Sequence, residues 1–317
     1  MVRVAILDDY QDVALEVVDW SALDGRAEMT ALHEHLPDEE AVAEALAGFE
    51  VVVAMRERTA FPASLLRRLP HLRLLVTTGT RNSSIDLPAA EELGITVCGT
   101  DSVASSTVEH TWALILAWSR HIVEEAGNMS AGRWQTTLGN GLAGKTLGIV
   151  GLGRIGSAVA AVGNAFGMRV VAWSQNLTAK RADAAGAELV DFHELLAESD
   201  VVTVHLVLSD RTRHLIGAPE IARMRPSALL VNTSRGPIID SVALASAVGS
   251  GALAGAAVDV YDKEPPAGDH PLRSTPGVLA TPHLGYVTGG VYEVFYGQAV
   301  EDVVAFLDGS PVRRISP

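Results

Sequence analysis

A chain of 317 residues is too long for one small core and suits two domains, and with 48% hydrophobic and 20% charged residues it belongs among folded proteins rather than disordered ones. Its formal net charge of -14 argues against nucleic acid or an anionic membrane as a partner, because both would be repelled. No apolar run approaches the ~20 residues that span a bilayer, and the single cysteine, Cys98, excludes an internal disulfide and a cysteine-built metal cage and points to a reducing cytoplasm.

The start, Val2 to Asp9, lacks the long apolar stretch and cleavage site of a signal peptide and reads as a buried strand. Short apolar runs then alternate with helical patterns, which argues for parallel sheets covered by helices. Strands are predicted near 2–7, 28–32, 50–54, 73–77 and 95–98, with helical stretches at 38–47 and 62–68. Cys98, in the apolar segment 95–98, reads as a small buried hydrophobe at a strand end. A helix is predicted from Ser106, where Ser106-Thr107-Val108-Glu109 fits a capping box. Its run 111–118 is apolar on nearly every face, so it must be buried all round, between domains or in a subunit interface. A second alternating series follows, with strands near 146–150, 169–173, 187–190, 200–204, 228–231, 255–259 and 278–281. The last helix, 290–307, comes after this series and needs another surface. Packing it on the first domain makes that domain discontinuous, with 1–102 and 286–317 in one domain and 103–285 in the other.

The loop Gly151-Leu152-Gly153-Arg154-Ile155-Gly156 lies between a buried strand and a helical pattern, the context in which G-x-G-x-x-G binds a dinucleotide. Gly151 permits the tight turn, Gly153 lets the backbone approach a pyrophosphate, and Gly156 allows close helix–strand packing. An acid at the end of the next strand would bind the ribose 2'-hydroxyl of NAD, but Ser174 stands there instead. The nearest cations are Lys180 and Arg181. The cofactor is therefore read as NAD(P), with NADP slightly ahead of NAD.

Three residues in the second half form a set for hydride exchange at C2 of a 2-hydroxy or 2-keto acid. Arg235, after the strand 228–231, has the planar fork that grips a carboxylate. His283, in a Thr-Pro-His turn after the last strand, is the side chain whose ordinary pKa suits moving a proton near neutrality. Glu264 can orient that imidazole, with Asp262 as its local competitor. Asp259 reads as the acceptor for a nicotinamide carboxamide, and His205 either lines the adenosine side or is structural. No metal is expected.

These pieces, G-L-G-R-I-G, V-N-T-S-R-G-P-I-I-D, G-A-A-V-D-V-Y-D-K-E-P and T-P-H-L-G, resemble in order and spacing the D-isomer-specific 2-hydroxyacid dehydrogenases over almost the whole chain. The resemblance implies an α/β fold of two Rossmann-like domains with parallel sheets, a discontinuous substrate-binding domain and an NAD(P)-binding domain. It implies that Arg235 binds a small anionic 2-keto or 2-hydroxy acid, and that His283 is the acid/base assisted by Glu264. The cofactor then lies along Arg154, Ile155, Ser174, Thr233, Asp259 and Gly285. Arg58 becomes a substrate contact, and Thr78 and Gly79 the loop whose N–H groups meet the carboxylate. A homodimer through the nucleotide-binding domain is also implied, a role that the apolar helix 111–118 suits. The sequence departs from the family at Arg81, where a loop glycine is usual, at Ser83-Ser84 for Asp-Asn, and at His205-Leu206-Val207-Leu208-Ser209, which lacks the family's proline. Two alternative functions are action on an unusual donor such as phosphite or formate, and a non-catalytic nucleotide-sensing scaffold of the same fold.

Overall fold

The computed structural model describes all 317 residues and divides into two compact units, Met1–Val103 with Val287–Pro317, and Ala104–Tyr286. The first unit is built on β1 (Val2–Ile6), β2 (Ala27–Ala31), β3 (Val51–Ala54), β4 (Leu74–Thr77) and β5 (Thr96–Gly99), all parallel in the order β2-β1-β3-β4-β5. β3 and β4 read Val-Val-Val-Ala and Leu-Leu-Val-Thr and are buried at every residue. Such unbroken apolar runs are what the middle of a parallel sheet requires, since both faces are covered. The crossovers are the short helices α1 (Glu39–Ala45), α2 (Ala63–Leu66) and α3 (Leu87–Glu92). Asp38 and Asp86 start α1 and α3 by accepting N–H groups of Ala41 and Ala89, which satisfies donors that a helix start leaves open. Cys98 is fully buried in β5.

The second unit begins with α4 (Ser105–Ser119) and α5 (Ile122–Ser130). Its chain then runs β6 (Thr146–Val150), α6 (Arg154–Ala165), β7 (Arg169–Trp173), α7 (Ala179–Ala184), β8 (Glu188–Leu189), α8 (Phe192–Glu198), β9 (Val201–Val204), α9 (Ala218–Ile221), β10 (Leu229–Asn232), α10 (Ser241–Gly249), β11 (Gly255–Val258), α11 (Pro271–Ser274) and β12 (Val278–Ala280). The seven strands are parallel in the order β12-β11-β10-β9-β6-β7-β8. The strand order therefore reverses between β6 and β9, and open α/β sheets bind their ligands beyond the carboxyl ends of strands at such a reversal.

α4 departs from its sequence reading in two ways. It starts one residue early with Ala104 at the cap and no side-chain cap bond, so the predicted capping box does not form and Ser106 lies buried in the first turn. Its apolar run packs in part inside its own unit, on α6, β10 and β11, burying Trp112, Leu114 and Ile115, while Ala113 is exposed and Leu116, Ala117 and Trp118 are half-buried. Trp112 lies against Phe166 with ring centroids 5.0 Å apart. The Trp118 indole fills the space where a side chain on Gly255 would stand and donates to the Gly277 carbonyl at 3.0 Å. The large exposed apolar side chains of this region lie further on, at Ile122, Val123, Met129, Trp134 and Leu138.

The chain ends in α12 (Gly289–Leu307), capped by Thr288 and packed in the first unit against β4 and the turn Ser21–Leu23. It buries Phe295 and Tyr296 together with an ionisable side chain, Asp302, which accepts from Arg313 Nε at 3.1 Å. No helix is long and apolar enough to cross a membrane.

Candidate active site

The glycine loop turns sharply out of β6. Gly151 adopts φ +105°, and a Cβ there would meet the His205 carbonyl. A Cβ on Gly156 would collide with the Gly151 carbonyl, so α6 approaches the turn closely only because that residue is glycine. Gly153, by contrast, faces open space at the cap of α6. The first N–H groups of a helix have no partners within it, so the Gly153 cap offers donors and positive dipole to a diphosphate. A glycine cradle with an open middle position fits a dinucleotide. Arg154 and Ile155 open the helix behind it.

Ser174 follows β7 directly and is half-buried. The first carboxylate after β7 is Asp183, inside α7, while Lys180 and Arg181 are exposed at the start of that helix. His205 leaves β9, which lies between β6 and β10, and its carbonyl lies against Gly151 of the glycine loop. Its ring nitrogen Nε2 pairs with Thr203 Oγ1 at 3.0 Å, and burial pushes its pKa down to about 4, which leaves the imidazole neutral.

The proton-moving pair forms where β11 and β12 end. His283 Nδ1 lies 2.5 Å from Glu264 Oε2, and Glu264 Oε1 accepts the Tyr261 N–H at 2.9 Å. Asp262 takes no part, because it accepts from Ser241 Oγ at 2.7 Å. The competition between the two acids is thus decided by direction: Ser241, which opens α10, holds one, and His283 holds the other. His283 itself adopts φ +55°, a left-handed conformation that a non-glycine residue seldom takes, and packs edge-on to Tyr286 at 5.2 Å. Tyr261 ties the region together by donating to the Thr281 carbonyl at 2.9 Å. Burial, then the negative charges of Asp259 and Glu264, push that phenol up to about 12, so it stays protonated as the donor.

Arg235 leaves β10 in a loop fixed by Asn232, which accepts from Ser234 N and donates to the Arg235 carbonyl. The next residue, Gly236, sits against the backbone of Tyr261 and Asp262 so closely that a Cβ would overlap it. That approach brings the arginine's loop onto the loop that carries Glu264.

Asp259 is almost fully buried at the end of β11. Its Oδ1 accepts from Thr281 Oγ1 at 2.5 Å and Leu284 N at 2.8 Å, and its Oδ2 from Gly285 N at 2.8 Å. Burial drives its pKa up, but donors from His110, Thr281 and the Leu284 backbone outweigh this and leave it below the usual carboxylate value. Gly285 and Thr233 are held in turn by α4. Thr107 Oγ1 donates to the Gly285 carbonyl at 3.1 Å, and Thr111 Oγ1 meets Thr233 Oγ1 at 2.8 Å.

Thr107, His110, Thr111, Tyr261 and Thr281 escaped the sequence reading. A signal for the first three was present: they stand three and four residues apart, and so share one face of an otherwise apolar helix.

In the first unit, Arg58 Nη1 donates to the Asp8 carbonyl at 2.8 Å, and its guanidinium lies 4.6 Å from the centre of the Tyr10 ring. Thr78 and Gly79 differ from expectation. The Thr78 N–H is taken by the Ala54 carbonyl at 3.0 Å and the Gly79 N–H by Thr100 Oγ1 at 2.7 Å, so neither is left for a carboxylate. The Arg56 guanidinium also lies across Gly79 and donates to the Thr78 carbonyl at 3.1 Å. Thr78 and Gly79 act as the foundation of this loop, whose exposed part is Thr80 and Arg81.

The chain is similar to known proteins in sequence and in fold. A family model described as D-isomer specific 2-hydroxyacid dehydrogenase, NAD binding domain, matches residues 112–285. A glyoxylate reductase of Aeropyrum pernix is 41% identical over 255 residues, covering 77% of this chain and 76% of that one. A D-3-phosphoglycerate dehydrogenase of Archaeoglobus fulgidus is 37% identical over 270 residues, covering 84% of this chain and 51% of its own longer sequence. Among solved structures, a phosphoglycerate oxidoreductase from Vibrio cholerae o395 superposes with TM-score 0.93 at 39% identity, covering 98% of this chain and 100% of that one. The chain belongs to the D-isomer specific 2-hydroxyacid dehydrogenase family.

Proposed function

We propose that Arg235, His283 and Glu264 carry the chemistry of this oxidoreductase on a small 2-keto or 2-hydroxy acid. The observation that carries the reading is the 2.5 Å His283–Glu264 contact at the same sheet edge as the open glycine turn of Gly153. Glu264 accepts from Nδ1–H, which leaves Nε2 as the nitrogen that exchanges a proton. In reduction Nε2–H protonates the C2 oxygen, and in oxidation neutral Nε2 takes that proton back. Arg235 holds the substrate carboxylate through two parallel N–H···O bonds and so presents one face of C2. A bound nicotinamide supplies or accepts the hydride at C2. Gly151, Gly153, Arg154, Ile155 and Gly156 hold its diphosphate, with Asp259, Gly285 and Thr233 at the nicotinamide end.

NADP is the preferred cofactor in this reading, because no acid follows β7 to repel a 2'-phosphate and Lys180 and Arg181 open the next helix. In the first unit, Arg58 is the side chain proposed to contact the substrate. The related glyoxylate reductase points to substrates as small as glyoxylate. A homodimer through the second unit is supported by its exposed apolar side chains between Ile122 and Leu138. The buried lone Cys98, its thiol pushed up to about 12 first by burial, suits a cytoplasmic protein.

A spectrophotometric screen of NADH and NADPH against glyoxylate, hydroxypyruvate, pyruvate and oxaloacetate tests this. Turnover of at least one acid is expected, faster with NADPH. Cofactor binding without turnover of any 2-keto acid would overturn it.

A further inference from the structure

The helix α4 carries one ionisable side chain into the carboxyl edge of its sheet. His110 Nε2 lies 3.1 Å from Asp259 Oδ1 and 3.1 Å from Thr281 Oγ1. The single Thr281 hydroxyl proton goes to Asp259 Oδ1 at 2.5 Å. Toward His110 both oxygens are therefore acceptors, and Nε2 must carry a hydrogen shared between them. Oδ1 of Asp259 then receives three donors, while Oδ2 receives only the Gly285 N–H and keeps a lone pair. The same face of α4 fastens the Gly285 carbonyl through Thr107 and Thr233 through Thr111.

From this geometry we infer that His110 is a positioning residue: its Nε2–H locks Asp259 Oδ1 and Thr281, so that Asp259 Oδ2 keeps its lone pair for the cofactor's carboxamide. The inference rests on the reading of Asp259 as a nicotinamide contact. It assigns His110 a function through Asp259, not contact with cofactor or substrate. Thr281 begins the turn that carries His283, Leu284 and Gly285, so the lock also holds the backbone on which the acid/base stands. An imidazole suits the task because its ring is rigid and its Nε2 extends far enough from the helix to reach both oxygens.

The test uses full-length His110→Ala, His110→Gln, Asp259→Asn and the double variant His110→Ala/Asp259→Asn. Two quantities are measured: the Kd for NADH and NADPH by fluorescence, and amide hydrogen exchange at Leu284 and Gly285. His110→Ala should weaken binding of the preferred reduced cofactor and speed exchange at both amides by about 10-fold each, the effect of one charge-assisted hydrogen bond. Gln, whose side-chain N–H can reach the same acceptors, should recover most of both. The double variant should bind no worse than Asp259→Asn alone, because residues acting as one unit are not additive. A purely structural histidine would give multiplying effects in the double variant and no recovery with Gln, and either result overturns the inference. If Asp259→Asn binds cofactor as the wild type does, the reading of Asp259 fails and the inference falls with it. If Asp259→Asn weakens binding but His110→Ala changes neither quantity, the inference alone fails. Should His110→Ala not fold, His110→Asn, too short to reach either oxygen, takes its place with the same outcomes.

Discussion

Arg235 and His283 do different work, and kinetics separates them. In the proposed mechanism Arg235 binds the carboxylate in ground and transition states alike, so its removal should act mainly on KM. Two charge-assisted hydrogen bonds of about 1.5 kcal/mol each correspond to roughly 100-fold. Arg235→Ala is therefore expected to raise KM for the 2-keto acid about 100-fold; unchanged steady-state kinetics would remove it from the site. In the same mechanism His283 acts when the proton moves, so His283→Ala should lower kcat by at least ~100-fold. Rapid-mixing measurement of cofactor oxidation would show whether the loss lies in the chemical step. At the cofactor end, Ser174→Asp places a negative charge where a 2'-phosphate would lie. The ratio of kcat/KM for NADPH to that for NADH should fall, and a constant ratio would mean that the 2' position is read elsewhere.

Loops at the carboxyl edge owe their placement to close backbone packing as much as to side chains. Gly236 shows this, since the loop after β10 lies flat on the backbone of Tyr261 and Asp262. Gly236→Ala must push the two loops apart, at a cost of about 1–3 kcal/mol in stability for overpacking. The larger effect should be on activity, because the movement separates Arg235 from the loop holding Glu264. Denaturant unfolding together with kcat/KM checks this; an active, destabilised variant would show that the loops are independent. α4 works in the same way. Trp112 and Trp118 seat it on α6 and β11 through apolar contact, and Thr107, His110 and Thr111 then reach the site from a fixed base.

Acid affects the two units of the molecule in opposite directions. In the second unit burial holds His205 at about 4 against an ordinary 6.5, so the unfolded chain binds its proton first. Stability from His205 is complete above about 6.5 and is lost as pH falls towards 4. In the first unit, burial of Asp302 on α12 raises its pKa to about 7 from 3.8, against the opposing pull of Arg313. There the folded state binds the proton more tightly, so the contribution is complete below 3.8 and is lost as pH rises through 7. Hydrogen exchange followed from pH 4 to 8 should show each trend in its own unit. His205→Gln should flatten the trend in the second, and Asp302→Asn in the first. Identical pH profiles in wild type and both variants would contradict these burial effects.

The alternation of short apolar runs with helical patterns was enough to mark both parallel sheets, because a strand covered on both faces has to be apolar along its whole length. The glycine spacing and the order of Arg235, Glu264 and His283 were likewise readable, since turns and strand ends are local features of a chain. The strand boundaries agree to within a residue or two for the same reason, and β8 shrank most, because both residues of this edge strand are exposed. What the sequence could not determine were choices among neighbours: the buried Ser106 in place of a cap, the spent N–H groups of Thr78 and Gly79, and the inward turn of His110. Each depends on a partner distant in sequence, such as Ala54 for Thr78 or Thr281 for His110, 171 residues away. Only the order of strands in the folded sheet decides which of those groups meet.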